Sequence, residues 1–200
     1  MFESCKVNKV CLITGFCRWF PVICLIICIS ACKQKPQVIV DRGFYYWKST
    51  LQLSTNETTA LQQLEVKKLY VKFFDVEWNE EASSPQPVAK LSVDSASLQQ
   101  LRQQQVQLIP VVFITNESLI EKDSTTLQQL AQNIATLLSN ISKQLQQKQY
   151  SELQIDCDWT QQTKAAYFFL LKEIKKHMQQ STLFRNRLLS ATIRLHQVKY

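Results

Sequence analysis

Apolar runs and amphipathic segments alternate along the chain from residue 38 onward. The apolar runs predict strands over residues 43–48, 69–76, 108–115, 153–158 and 189–195. Between them, apolar side chains recur at spacings of three and four residues, which is typical of helices that bury one face. The predicted helices follow the capping sequence Ser54–Glu57 and cover 95–105, about 124–147 and 161–178. Residues 80–87 are predicted to form a loop.

Strands that alternate with helices favour βαβ units and a parallel sheet. Residues 38–200 have room for five such units, whereas a full (β/α)₈ barrel takes about 250 residues. We therefore predict an α/β domain that forms about five units of a partial (β/α)₈ barrel with an open parallel sheet. The alternative is a five-stranded doubly wound sheet. Because little chain follows the fifth strand, we expect a truncated barrel that is marginally stable, aggregation-prone or dimeric through its open sheet edges.

The first 32 residues have a different pattern. Basic residues precede an uninterrupted apolar run of 11 residues over 19–29. Such a run is too short for a bilayer span, which takes about 20 residues, but it suits the core of a secretory signal. Ile29, Ser30, Ala31 and Cys32 follow. This order resembles a bacterial lipobox, and the resemblance implies cleavage before Cys32 and a lipid on its sulfur; the alternative is an uncleaved membrane anchor.

These patterns divide the chain into three parts. Residues 1–31 are predicted to be a lipoprotein signal peptide, residues 32–37 the lipidated Cys32 with its tether, and residues 38–200 the α/β domain. Because no Asp follows Cys32, the lipobox resemblance implies a lipid-anchored protein of the bacterial envelope that is sorted to an outer membrane. Residues 33–37 span at most roughly 17 Å, so we expect the domain to lie close to the membrane.

Composition excludes several classes of function. The chain has only two glycines, Gly15 and Gly43, which excludes the glycine-rich loops that bind nucleotide phosphates. It has no CxxC pair and no Cys/His cluster, so we expect neither a metal nor a cofactor. Six of the seven cysteines precede residue 33, which leaves Cys157 without a disulfide partner in the domain. The formal charge of +7 is too mild to predict a nucleic-acid partner.

Polar and aromatic residues collect where the predicted strands end, which is where α/β folds bind ligands. The set consists of Trp47, Lys48, Asp75, Glu77, Trp78, Thr115, Asn116, Glu117, Asp156, Asp158, Trp159, Arg194, His196 and Gln197. Because side chains alternate along a strand, Asp156 and Asp158 share one face and Cys157 points to the other, toward the helices. Burial there predicts an inert thiol. Arg194 and His196 likewise share a face of the fifth strand.

Clustered carboxylates have three interpretations. They can supply acid–base chemistry, since like charges a few Å apart raise the pKa of one of them. They can form a ligand site without chemistry, or a structural network paired by Arg194 and His196. We assign Asp156, Asp158 and Asp75 as candidate catalytic residues. The candidate substrate-binding residues are Glu77, Trp47, Trp159, Arg194 and His196. The tryptophans, Trp78 included, fit sugar stacking and burial about equally well.

The segment LQIDCDWT, residues 153–160, is similar to the fourth-strand motif D-x-D-W-E of family 18 chitinases. Asp156, Asp158 and Trp159 match that motif. Thr160 stands in place of the glutamate that is the family's general acid, so the resemblance does not extend to family 18 chemistry. Residues 38–200 resemble more closely a group of uncharacterised bacterial lipoproteins with a glycoside-hydrolase-like barrel, through LYVKFFDV, IPVVFITNE, LQIDCDWT and SATIRLHQ. That resemblance implies the N-terminal part of such a barrel and no established activity.

The sequence thus indicates a lipid-anchored envelope protein whose glycosidase-like domain acts on or binds carbohydrate and is inactive if truncated. The alternative is a non-catalytic envelope or carbohydrate-binding lipoprotein, and a third interpretation is a remnant without activity. The expected partners are the membrane, through the N-terminal lipid, carbohydrate, and a second copy of the chain. No nucleic-acid partner is expected.

Overall fold

Parallel strands with helices between them make up the part of the chain that the computed structural model describes, residues 40–199. The strands are β1 (Gly43–Tyr46), β2 (Thr50–Leu51), β3 (Lys68–Asn79), β4 (Ser84–Val88), β5 (Ser92–Val93), β6 (Gln107–Ile114), β7 (Glu152–Cys157) and β8 (Leu188–Ala191). The helices are α1 (Thr55–Gln63), α2 (Ser95–Gln103), α3 (Ser124–Gln144) and α4 (Lys164–Gln180). The predicted signal peptide, Cys32 and the tether lie outside the described residues. Within those residues, no helix has the length and apolarity to cross a membrane.

The main sheet has the strand order β1-β3-β6-β7-β8, with every neighbouring pair parallel. This is also the order of the strands along the chain. A doubly wound sheet reverses its strand order at a switch point, and the described strands show no such reversal. The sheet is therefore that of a partial (β/α)₈ barrel, as predicted, and the doubly wound alternative is wrong.

Capping side chains fix where the helices begin. The Ser54 hydroxyl accepts a hydrogen bond from the Glu57 N–H, and the Glu57 carboxylate accepts one from the Ser54 N–H at 2.8 Å, which completes the predicted capping box. These bonds from Ser54 lower the pKa of Glu57. The carboxylates of Asp94 and Asp123 cap α2 and α3 by accepting from the Ser97 and Thr126 N–H groups, without the reciprocal bond. Each cap satisfies backbone N–H groups that have no partner inside the helix.

The hydrophobic core lies between the helices and one face of the main sheet, which we call the outer face. Val71, Val112 and Ile155 of this face are fully buried, and Leu138 and Leu170 of α3 and α4 belong to the same cluster. The helices run antiparallel to the strands, so the C-terminal ends of the strands and the N-terminal ends of the helices share one end of the domain. That end is the mouth in the description that follows.

Two segments differ from the prediction, the loop after β3 and the end of the fifth strand. Residues 80–87, predicted as a loop, include all but the last residue of β4, which pairs antiparallel with the end of β3 and forms a hairpin. The prolines Pro85 and Pro87 are compatible with this because β4 lies at the edge of the sheet. The predicted fifth strand ends at Ala191 rather than at residue 195, since Thr192 makes the last backbone bond to β7 and residues 195–199 turn into a 3₁₀ helix.

An irregularity in β3 decides which way its acids point. The pairing between β3 and β6 shifts register between Lys72 and Phe74, so that Phe73 is an extra residue. Strict alternation would place Lys72 and Asp75 on opposite faces of the sheet. The bulge places both on the face that does not carry the helices, which we call the inner face.

The described sheet ends in β1 on one side and β8 on the other, and both edges expose apolar side chains, including Leu188 at 57%. We expect the protein to self-associate through these edges. Leu188→Glu should shift the dimer–monomer midpoint, measured by sedimentation velocity, at least about tenfold in concentration. Gln128→Glu, on the exposed surface of α3 between the central strands β6 and β7, adds a charge away from both edges and is the control. A wild-type protein that is monomeric at every concentration would contradict the expectation.

Candidate functional site

The inner face carries the polar residues of the strands in register. Lys72, Val111 and Gln154 form one row across β3, β6 and β7, and Asp75, Phe113 and Asp156 form the next row toward the mouth. Neighbouring strands lie about 4.8 Å apart, which places the Asp75 and Asp156 backbones about 9.6 Å apart on either side of Phe113. The structure thus brings two of the three predicted catalytic acids to the same height of the same face.

Asp75 is 8% exposed and forms an ion pair with Lys72, whose Nζ lies 2.8 Å from Oδ2. Its second oxygen, Oδ1, is buried and has no hydrogen-bond partner among the described residues. Lys72 was not identified from the sequence. The sequence signal for Lys72 was a lysine inside the predicted strand 69–76, two residues after Tyr70. Strict alternation places Lys72 and Asp75 on opposite faces, so the contact between them could not be predicted without the bulge.

Gln154 is 4% exposed and repeats the arrangement of Asp75 one row below. Its Nε2 donates to the Tyr45 hydroxyl at 2.7 Å, while Oε1 is buried without a partner in the described part of the chain. Buried polar atoms are nearly always hydrogen-bonded in folded proteins. The inner face therefore presents two buried acceptors, Asp75 Oδ1 and Gln154 Oε1, that a bound hydrogen-bond donor would satisfy.

The other two predicted catalytic acids, Asp156 and Asp158, contact residues of the chain segment that follows β8. Asp156 accepts a hydrogen bond from the Thr192 hydroxyl. Asp158 forms an ion pair with Arg194, whose Nε lies 2.5 Å from Oδ1. Both sites are more open to solvent than Asp75, and exposed pairs of this kind contribute at most about 1 kcal/mol. Their effect is to fix the carboxylates at the mouth in place.

Glu77 continues the inner face beyond Asp75, but it lies exposed in the β3–β4 hairpin opposite Gln86. It has no ion-pair partner among the described residues, and its role in substrate binding stays a prediction. The side chain of His196 is outside what the structure describes, so its role stays a prediction.

The tryptophans have three different environments. Trp47 is 46% exposed and stacks on Tyr45, with ring centroids 5.5 Å apart and planes 9° apart. Trp159 is 3% exposed and packs against Tyr167 and Phe168. Trp78 is covered by Lys122, whose Nζ lies 3.3 Å from the ring centroid. Trp47 thus keeps a free ring face, whereas for Trp159 the structure favours burial over stacking.

A second polar network, which the sequence did not predict, surrounds Glu152. Ser190 donates to its carboxylate at 2.6 Å, the Tyr70 hydroxyl lies 3.3 Å away, and Lys68 forms an ion pair at 3.4 Å. Burial, reinforced by the Glu152 charge, raises the pKa of Tyr70 to about 12. Glu152 opens β7, so this network lies at the end of the sheet away from the mouth. Polar groups at that end of a barrel serve stability.

Cys157 is buried in the core on the outer face, as predicted. Burial raises the pKa of its thiol to about 12, with a smaller contribution from the neighbouring Asp158 and Asp156 charges. A thiol that stays protonated and inaccessible is not a nucleophile.

Stability should fall at high pH. Burial raises the pKa of Tyr70 and Tyr150 to about 12, and raises that of Tyr167, in addition to Cys157. In the unfolded chain, the Cys157 thiol has its ordinary pKa of 9.0 and the tyrosines have theirs of 10.0. The stabilisation from burying the protonated groups is therefore complete below pH 9.0 and is lost as the pH rises toward 12. The free energy of unfolding should be at least about 2 kcal/mol lower at about pH 10.5 than at about pH 8.

Urea unfolding at the two pH values measures this difference. Cys157→Ala should remove about half of it, because Cys157 begins to titrate in the unfolded chain one unit below the tyrosines. An unfolding free energy that does not change between the two pH values would contradict the assignment.

No group of three or more His, Cys, Asp or Glu residues within 40–199 is arranged to hold a metal ion. A cleft of about 410 Å³ lies at the end of the sheet opposite to the mouth, where Arg102, Tyr150 and Arg187 are among its lining residues. The candidate acids do not line that cleft.

No protein-family model and no curated protein sequence matches the chain. Among solved structures it is similar to the spore cortex-lytic enzyme SleL of Bacillus megaterium, at 13% identity and a TM-score of 0.46, over 78% of this chain and 36% of SleL. It is also similar to the arginine decarboxylase of Paramecium bursaria Chlorella virus bound to agmatine, at 9% identity and a TM-score of 0.39, over 74% of this chain and 39% of that one. The chain thus spans less than two fifths of the length of either structure. Strand order and register define the fold, and the side chains of the inner face define the candidate site.

Proposed function

We propose that this protein is a lipid-anchored domain of the bacterial envelope that binds carbohydrate on its inner face near the mouth. One observation carries the proposal: Asp75 Oδ1 and Gln154 Oε1 are buried acceptors that have no donor among the described residues, and they lie in adjacent rows beside Asp156. Sugar hydroxyls are donors that would complete both. A site built to accept such hydrogen bonds rejects ligands that lack them, because its acceptors then stay unpaired.

The aromatic pair Tyr45 and Trp47 supports the same ligand class. The Tyr45 hydroxyl is tied to Gln154, and the Tyr45 ring carries Trp47 in a stacked arrangement. The half-exposed Trp47 ring offers an apolar face next to the two acceptors. A sugar ring, with C–H groups on its faces and hydroxyls at its edge, fits a site that combines the two features.

The charge of the site argues against phosphorylated or carboxylated ligands. Lys72 and Arg194, two cations at the site, are already paired with Asp75 and Asp158. Asp156 adds a carboxylate without a cationic partner among the described residues. A neutral, hydroxyl-rich ligand avoids the repulsion that an anion would meet.

Glycoside hydrolysis is the second candidate function, and the register favours it. The backbones of Asp75 and Asp156 are about 9.6 Å apart by strand spacing. Glycosidases of both the inverting and the retaining type act with two carboxyl groups that flank the scissile bond. If the domain is an enzyme, Asp75 and Asp156 are the pair that would supply them.

Titration of the full-length protein with a panel of neutral hexaoses tests the binding proposal. The panel contains β-1,4- and α-1,4-linked glucose and β-1,4-linked N-acetylglucosamine. Gln154→Met should weaken the binding of the preferred glycan at least about tenfold, because it removes an acceptor and the anchor of Tyr45. Gln99→Met, on the exposed face of α2, should not change it. Absence of binding to every glycan by the folded protein would contradict the proposal.

The anchor is tested separately through Cys32. The purified membrane fraction should contain a chain that begins at Cys32 and carries acyl mass, as read by intact-mass measurement. Cys32→Ser should release the protein or leave an unprocessed precursor. An unmodified protein that begins at Met1 would contradict the anchor.

A further inference from the structure

Opposite charges occupy the two ends of the domain. We define the base as the N-terminal ends of the parallel strands together with the loops before them and the last turn of each preceding helix. It carries eight basic residues against three acidic ones. The basic residues are Arg42, Lys67, Lys68, Arg102, Lys143, Lys148, Arg185 and Arg187, and the acidic ones are Asp41, Glu65 and Glu152. The mouth, with the loops after each strand and the first turns of the helices, carries eleven acidic residues against six basic ones.

Part of the basic charge serves the fold. Arg102 donates to the Leu145 carbonyl at the end of α3, Arg187 donates to Gln149, and Lys68 pairs with Glu152. Cations near helix C-termini are favourable in any case, because of the helix dipole.

Two further basic residues also have partners: Arg42 pairs with Glu65, and the exposed Arg185 donates its Nε to the Gln179 carbonyl at the end of α4. The remaining three, Lys67, Lys143 and Lys148, are exposed, and none has an ion-pair partner among the described residues. They leave the base as a surface of uncompensated positive charge.

The chain enters the domain at this same end. β1 begins at Gly43, and its register with Lys68 places that residue at the base. Under the anchor proposed above, the lipid on Cys32 is therefore connected to the base, through 11 residues that span at most about 38 Å. Such a tether keeps the base near the bilayer.

The 410 Å³ cleft opens on the base and has Arg102 and Arg187 in its lining. The Nε of Arg187 is buried and lacks a hydrogen-bond partner within residues 40–199. A guanidinium N–H that has no acceptor is suited to a phosphate oxygen.

We propose that the base docks onto an anionic phospholipid surface, so that the mouth and its candidate carbohydrate site face away from the membrane. The proposal rests on the lipid anchor for proximity and on charge for orientation. Basic residues close to an anionic leaflet are attracted to it, and the acidic mouth is repelled. Because the attraction decays over a Debye length of about 8 Å at physiological salt, docking requires contact and weakens at higher salt.

Lysine footprinting of the full-length, lipidated protein tests the proposal. The protein is reconstituted into phosphatidylcholine vesicles with or without phosphatidylglycerol, then acetylated, and the rates at each lysine are read by mass spectrometry. Lys67, Lys143 and Lys148 should react at least about fivefold more slowly on the anionic vesicles, and high salt should restore their rates. Lys90 and Lys172, which are exposed but lie outside the base, should react equally on both.

Paired charge reversals test whether the protection depends on the charge of the base or only on the net charge of the protein. Lys148→Glu/Arg185→Glu should abolish the protection of Lys67 and Lys143, whereas Lys90→Glu/Lys172→Glu, which changes the net charge by the same amount, should keep it. Equal acetylation rates on both kinds of vesicle would overturn docking. Protection by duplex DNA or by inorganic phosphate at matched phosphate concentration, but not by the anionic vesicles, would also overturn it.

Co-sedimentation distinguishes this failure from failure of the anchor. An anchored protein sediments with phosphatidylcholine vesicles whether or not the base docks. If the protein does not sediment with phosphatidylcholine vesicles, the anchor is wrong. Docking is then judged only by whether the protein sediments with the anionic vesicles. Binding to them supports docking, and absence of binding overturns it.

Discussion

Lys72→Met should lower the free energy of unfolding by about 3 kcal/mol, because it leaves the buried Asp75 carboxylate without its counter-charge. The side chains of this pair are only 17% and 11% exposed, and Nζ lies 2.8 Å from Oδ2. Urea unfolding at neutral pH measures the loss. Adding Asp75→Asn to Lys72→Met should recover at least about half of it, since the neutral amide needs no counter-charge.

Lys48→Met is the matched control for this substitution. Lys48 pairs with Glu57 at 3.2 Å, but the Lys48 side chain is 67% exposed. Exposed pairs contribute about 0–1 kcal/mol, so the control should unfold almost like the wild type. Equal losses for Lys72→Met and Lys48→Met would show that the inner-face pair is not buried as described.

Asp156→Asn should separate the two candidate functions. If the domain hydrolyses glycans, the loss of this carboxylate should reduce turnover at least about 100-fold, as expected when an acid or base is removed. If the domain only binds glycans, affinity should change no more than about tenfold, because the amide oxygen still accepts a hydrogen bond. The measurements are product release from the preferred hexaose and its dissociation constant.

Glu81→Gln is the control for that experiment, since Glu81 is an exposed acid in the turn of the β3–β4 hairpin. It should affect neither turnover nor affinity. A wild-type protein with measurable turnover that Asp156→Asn leaves intact would remove Asp156 from the catalytic assignment.

Hydrophobic periodicity was sufficient to predict the order and type of the main elements. The five predicted strands correspond to β1, β3, β6, β7 and β8, and the capping box at Ser54 begins α1. Both signals are local, since a strand or helix that buries one face must repeat its apolar residues at a set period. The short β2–β5 pair carries no such period, because it joins residues that are distant in the sequence. The strand β4 of the β3–β4 hairpin contains Pro85 and Pro87, which are atypical of a strand.

The candidate site was less predictable than the fold, for a physical reason in each case. Alternation predicted the face of Asp156, but the bulge at Phe73 that brings Lys72 and Asp75 together has no signature in the sequence. The contact of Thr192 with Asp156 and the burial of Trp159 depend on how α4 and the chain after β8 pack. Gln154 was not predicted, because a glutamine in a strand is usually exposed to solvent. Its burial depends on the contact with Tyr45, which is 109 residues away in the sequence.

A crystal structure of the protein with its preferred neutral hexaose is the most direct test of the central claim. The account predicts a sugar hydroxyl within hydrogen-bond distance of Asp75 Oδ1, another within reach of Gln154 Oε1, and a sugar ring against the free face of Trp47. A glycan bound elsewhere on the domain, or bound at the mouth with both acceptors still unpaired, would contradict it.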